Sequence, residues 1–208
     1  MKRLLPVALV VTLGCSRAMT PPVTVKAAQE IGPIRKLAVV PAIAAPAMTG
    51  DAAAQAPAAV SRMLDDAASR QGAWSLVDGS AVRTALGRLP ADSPEARAGA
   101  VAQRVGADAA LTATIATYRE RVGSAYGVTE PAAVSIQMFV VRAGQKHPVW
   151  TADYTFTQEP LTYNLLNLWG VRGGPKWHTA DELAQFGVDE AVRRLAAAAG
   201  PQAPAKAP

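Results

Sequence analysis

Few residues in this 208-residue sequence could do chemistry, and their spacing argues against most of the reactions they suggest. The two histidines, His147 and His178, are far apart. Neither belongs to a His-x-x-x-His pattern or has a cysteine at metal-ligand spacing. Ser61, Ser75, Ser124 and Ser135 lack the Gly-x-Ser-x-Gly setting of a nucleophile elbow. Asp65 and Asp66 are adjacent carboxylates, but consecutive helical residues point about 100° apart. They read as a solvated face beside neighbouring arginines. Gly170-Val171-Arg172-Gly173-Gly174 follows no strand of a βα unit and lacks the Lys-Ser/Thr of a nucleotide loop. The sequence therefore predicts a non-enzyme with no metal site and no cofactor. One segment stands out from this background. Between positions 169 and 178, Trp169, Arg172, Lys176, Trp177 and His178 surround two glycines and a proline. Trp and Arg are favoured binding anchors, and loops carry binding more often than framework does. Trp169, Arg172, Trp177 and His178 are thus the candidate partner-binding residues. Two readings stay open: a protein-docking loop, or an aromatic platform for peptidoglycan sugar or another flat ligand. A third is structural, with both indoles covering an open sheet face.

Cys15, the only thiol, has surroundings that give it a different chemistry. Met1-Lys2-Arg3 is basic, and Leu4 to Leu13 is a mostly apolar run of ten residues, too short to span a bilayer. Small Gly14 then precedes Cys15. This is the anatomy of an export signal. The run Val11-Thr12-Leu13-Gly14-Cys15 resembles a lipobox, with Thr12 where that pattern prefers Leu. The resemblance implies cleavage before Cys15 and a lipid anchor on its sulfur. Each buried CH₂ adds about 0.8 kcal/mol, so two or more chains hold stably. Ser16, in a position where Asp would retain the protein at the inner membrane, resembles lipoproteins sorted to the periplasmic face of the outer membrane. Residues 1–14 are then a signal peptide, 15–33 a lipidated N-terminus and tether, 34–199 one domain, and 200–208 a Pro/Ala-rich tail. Losing Lys2 and Arg3 lowers the net charge from +5 to +3. The arginines are scattered and no basic run interleaves with aromatics, so nucleic acid is not an expected partner.

The elements that must carry these residues follow from periodicity. Lys36 to Val40, closed by Pro41, reads as a buried strand. Val60, Met63, Leu64, Ala67 and Ala68 recur at helical spacing, with Arg62–Asp66 and Asp66–Arg70 as supporting i,i+4 pairs. Trp74 to Val77 reads as a strand, and Ser80 as the cap of a short helix. Ser93-Pro94-Glu95 combines an N-cap, a first-position proline and an N-terminal carboxylate; the helix it opens ends near Gly106. Ala109–Tyr118, Val134–Val141 and Val149–Thr157 alternate as strands, the last two forming a hairpin with Trp150, Tyr154 and Phe156 on one face. Leu161 to Trp169 reads as a short helix. Thr179 and Glu182 make a capping box for a final helix bearing Leu183, Val188, Val192 and Leu195. The fold class is α/β (α+β): a mixed sheet of about five strands with packing helices.

This order resembles the small α/β domain shared by the TolB N-terminal domain, the curli secretion lipoprotein CsgG and LpoB-type activators of penicillin-binding proteins. The resemblance covers residues 34 to 157 and, with the last helix, extends to about 198. Its most specific part is the helix-to-strand join Val105-Gly106-Ala107-Asp108. Departures limit what it implies. The stretch from Arg121 to Pro131 is too short for pore-forming hairpins, no propeller repeats follow, and the tether is short. What the resemblance implies is a class: a non-catalytic, membrane-anchored envelope domain that binds an envelope protein or forms a homo-oligomer.

Overall fold

Proline has no N–H to give to a ladder, and Pro41 accordingly sets how the sheet begins. The computed structural model describes residues 23–27, 31–89, 93–158 and 176–199. Its strands are β1 (Val23–Ala27), β2 (Lys36–Val39), β3 (Ile43–Ala44), β4 (Ser75–Leu76), β5 (Ala109–Arg119), β6 (Val122–Gly123), β7 (Val128–Glu130), β8 (Ala133–Arg142) and β9 (Pro148–Thr157). Its helices are α1 (Gly50–Gln71), α2 (Gly79–Leu86), α3 (Pro94–Arg104) and α4 (Ala180–Ala199). β2 and β3 lie in turn along one edge of β5, both parallel to it. Pro41 interrupts them, and its carbonyl accepts the Thr112 hydroxyl at 3.3 Å.

The seven-stranded sheet runs β1-β9-β8-β5-β2-β4, with β3 beside β5. It is mixed: β2–β4 and β2–β5 are parallel, whereas β5–β8, β8–β9 and β1–β9 are antiparallel. All five expected strands are present, which makes the fold the expected α/β class. Four strands are additional among the described residues: β1, β3, β6 and β7. Val23–Ala27, read from sequence as tether, is the edge strand β1, with Val23 buried. Its alternation rests on only Val23 and Val25, so it is too short to register as a period. The Arg194 guanidinium also grips it, donating to the Val23 carbonyl at 2.5 Å. The connection after Arg121 is itself structured, as the β6–β7 hairpin.

Apolar residues divide between the two sheet faces as strand alternation requires. On one face Leu37, Leu111, Ile115, Ile136, Met138, Trp150 and Tyr154 pack under α1 and α4. On the other, Ala38, Val40, Ala110, Phe139 and Val141 pack under α2 and α3. Helix α1 starts earlier than periodicity suggests and contains Pro57. One turn on, the Ser61 hydroxyl donates to the Pro57 carbonyl at 2.6 Å and accepts the Ala42 N–H at 2.9 Å. The expected i,i+4 pairing of Arg70 gives way to a longer link, a 2.5 Å ion pair with Asp189 that joins α1 to α4. The cap of α2 is Asp78, not Ser80: its carboxylate accepts the Ser80 and Ala81 N–H groups. Ser93 caps α3 as expected, and Gly106 closes it with φ +64°. Among the described residues, no helix is long and apolar enough to cross a membrane.

Candidate functional site

The capping box at the start of α4 is the seed of a dense polar cluster near the sequence-predicted loop. Thr179 Oγ1 accepts the Glu182 N–H at 3.1 Å, and Glu182 Oε2 accepts the Thr179 N–H at 3.0 Å. Glu182 does more than cap. Its Oε1 takes the Lys176 ammonium at 2.6 Å, and its Oε2 lies 3.1 Å from Nδ1 of His178. Burial pulls this carboxyl's pKa up. Hydrogen bonds from Lys176, the Thr179 N–H and His178 outweigh that and hold it at about 2.

His178 lies inside the domain, with a side-chain exposure of 1%. Its backbone N–H donates to Gln158 Oε1 at 2.8 Å, and Gln158 Nε2 donates to the Lys176 carbonyl at 2.8 Å. One buried amide thus ties the end of β9 to the stretch that leads into α4. The imidazole meets the Phe186 ring edge-on, 5.4 Å between centroids. Burial lowers its pKa, opposed by the Glu182 carboxylate. Nε2 is buried with no hydrogen-bond partner among the described residues. Among the described residues, the His178 ring hydrogen-bonds a carboxylate and no hydroxyl.

The far end of β5 completes the joint. Glu120 Oε2 accepts the Ala180 N–H at 2.9 Å, adding a second carboxylate at the positive end of α4. Tyr118 donates its hydroxyl to Asp181 Oδ1. Burial, and then that bond, push the phenol's pKa far up, so it stays a donor. The Arg121 guanidinium donates to the Trp177 carbonyl, and the Trp177 N–H donates to the Ala125 carbonyl at 2.8 Å. The β6–β7 hairpin is thereby held against the root of α4.

Of the sequence-predicted residues, Trp177 and His178 belong to this joint. Trp177 is half-buried and held through its backbone; His178 is interior, so it shapes the site without presenting its ring. Cys15, Trp169 and Arg172 lie outside the described residues, as does the expected helix from Leu161 to Trp169. Glu120 and Arg121, directly after a strand, read from the sequence as a polar strand end rather than a site, and Tyr118 and Gln158 carry no site signal there. No short-range pattern marks them, because each acts on a group far along the chain. Asp65 and Asp66 are exposed on α1, as a solvated face requires. Beside the joint, a cleft of about 480 Å³ opens between α1 and α4, lined by Met63, Lys176, His178, Asp181, Glu182, Gln185 and Phe186. Among the described residues, no group of three or more His, Cys, Asp or Glu side chains is placed to hold a metal ion.

The joint at the other end of β5 explains the helix-to-strand join noted in the sequence. Asp108 Oδ2 accepts the backbone N–H groups of Arg35 and Lys36 at 2.8 and 2.9 Å, fixing the start of β2 beside β5. The same two bonds, Lys36 first, draw the Asp108 pKa down. Its role is architectural.

No family model and no curated protein matches this sequence. Solved structures do. The PelC dodecamer from Paraburkholderia phytofirmans is 13% identical with a TM-score of 0.50, and the match covers 86% of this chain and 99% of that one. A methionine-substituted variant of that protein, also described as a dodecamer, is 14% identical with a TM-score of 0.51 over 86% and 98% of the two chains. The LpoB C-terminal domain from Escherichia coli is 22% identical with a TM-score of 0.39, over 60% of this chain and 83% of that one. At these identities the likeness to the PelC structures is one of fold.

Proposed function

We propose that this chain is a lipid-anchored lipoprotein of the cell envelope that acts by protein–protein contact rather than catalysis, and that it assembles with further copies of itself. The observation that carries the reading is the match in fold to a dodecamer over 86% of this chain and nearly the whole of the other. The export signal ending at Cys15 supports the anchor, and Ser16 supports the periplasmic face of the outer membrane. Two polar residues at the root of α4 support a docking role: Gln158 and Glu120 are spent on holding backbone in place. Trp169 and Arg172, with Trp177, are the proposed contacts for a second envelope protein.

Lipid labelling and fractionation test the anchor. The wild-type chain takes up labelled fatty acid and sediments with the outer membrane; Cys15→Ala takes up none and is released. Native mass measurement in detergent tests the assembly, with a multiple of the chain mass expected. An unlabelled wild-type chain, with residues 1–14 still attached, refutes the anchor. A monomer at every concentration refutes the assembly.

A further inference from the structure

Tyr126 sits in the turn of the β6–β7 hairpin and is 89% exposed; Val122, on the same hairpin, is 53% exposed. No other large apolar side chain among the described residues stands out this far. Exposed aromatics are usually scattered and need no explanation, but the support beneath this one is built. Ser124 Oγ accepts the N–H groups of Tyr126 and Gly127, each at 3.2 Å, and the Ser124 N–H donates to the Gly127 carbonyl at 2.8 Å. Gly123 has φ +122°, and a Cβ there would collide with the Gly127 carbonyl, so the turn closes only around glycine. The Trp177 N–H then braces the turn through the Ala125 carbonyl. A tyrosine held on a fixed frame loses little freedom on docking, since only its two side-chain torsions remain to be ordered.

The same chain carries a receptor of matching chemistry. The cleft between α1 and α4 offers the half-buried side chains of Met63 and Phe186 as apolar surface. Thioether and ring edge both favour an aromatic guest. Asp181 lines the same cleft. Its Oδ1 already takes one tyrosine hydroxyl, that of Tyr118, and its Oδ2 receives no donor among the described residues. A second phenol there would repeat a pairing the fold already uses.

We infer that Tyr126 of one copy seats in the Met63–Phe186 cleft of a second copy, with its ring on those two side chains and its hydroxyl donating to Asp181. This rests on the self-assembly proposed above and names the contact that makes it. The test uses the full chain in detergent, with a photoreactive benzophenone amino acid in place of Tyr126. Illumination gives a product of twice the chain mass, and peptide mapping places the new bond on the segment holding Met63 or on that holding Phe186. Tyr126→Ser weakens self-association about tenfold or more, as loss of an anchoring aromatic does, while Tyr126→Phe, which keeps the ring, weakens it only about threefold. Bonds confined to one chain, or formed to lipid or to a different protein, overturn the inference. So does a Tyr126→Ser chain that assembles as the wild type does: copies then associate, but through another surface. A wild-type chain that never associates instead removes the reading beneath the inference.

Discussion

Two joints fasten helices to the ends of β5, and they are built on different plans. At the start of the strand, one carboxylate, Asp108, takes two consecutive backbone N–H groups from the start of β2. The helix it follows, α3, is pressed so closely on the β8–β9 turn that a Cβ at Gly99 would fall on the Gln145 carbonyl oxygen. At the far end, no single residue dominates. Glu120, Tyr118, Arg121, Gln158 and Glu182 each make one or a few bonds around the root of α4. The first plan is compact and fails as a unit. The second is distributed, so it yields locally, and it borders both the hairpin bearing Tyr126 and the cleft. The comparison teaches that a rigid end of the sheet is the reference against which the other end presents surface.

The largest effect expected comes from crowding the compact joint. Gly99→Ala drives a methyl into backbone that cannot step aside and costs about 3 kcal/mol, at the upper end of overpacking. Gly187→Ala, on α4, meets the buried Tyr154 ring instead and costs about 2 kcal/mol, because a ring can tilt where a turn cannot. Thermal or urea unfolding of the two variants checks the order; a reversed order breaks the contrast. Next comes Asp108→Ala, which leaves two N–H groups unanswered and costs about 2 kcal/mol, with Asp108→Asn recovering part through its remaining oxygen. The whole transition should shift to lower denaturant without broadening.

Gln158→Ala removes two bonds from the distributed joint. A global loss of about 1 kcal/mol is expected, with a larger local effect. Amide exchange at His178 should accelerate well beyond that at Leu111, in mid-β5. Equal acceleration at both sites would show that the two joints do not differ in kind. The smallest effect is on pH dependence. His178 holds its proton less tightly in the fold than its ordinary 6.5. Between the folded and unfolded values the unfolded chain binds more protons, so stability rises with pH across that window. It is complete above 6.5 and is lost as pH falls below it. Urea midpoints at about pH 7.5 and about pH 5.5, alongside a proton NMR titration of the imidazole, check both sign and source.

The same contrast decides what could be read from sequence. Ser93-Pro94-Glu95 and Thr179-x-x-Glu182 are local templates, and both caps form as their spacing requires. Val105-Gly106-Ala107-Asp108 was visible as a helix-to-strand join, although what its carboxylate binds was not. Gln158 was illegible as a site residue because its partner lies 20 positions away, and Glu120 read only as a polar strand end because its partner lies 60 away. His178 was noticed for its type, but its burial follows from Phe186 and Gln158, which no periodicity connects to it. The three long strands β5, β8 and β9 were legible from alternation. Val23–Ala27 was not: an edge strand buries one side of a few residues, and here only two valines carry the signal.

That edge strand has a consequence for how the molecule is made. The earliest described piece of chain pairs with β9, the last of the described strands to be synthesised. A polypeptide arriving N-terminus first must therefore carry Val23–Ala27 unpaired until the chain has emerged as far as Thr157, and long-range closures of this sort are slow. The strand works as a closing seam. Until it is sewn, β9 keeps an open rim, and a chain stalled in that state offers that rim to its neighbours.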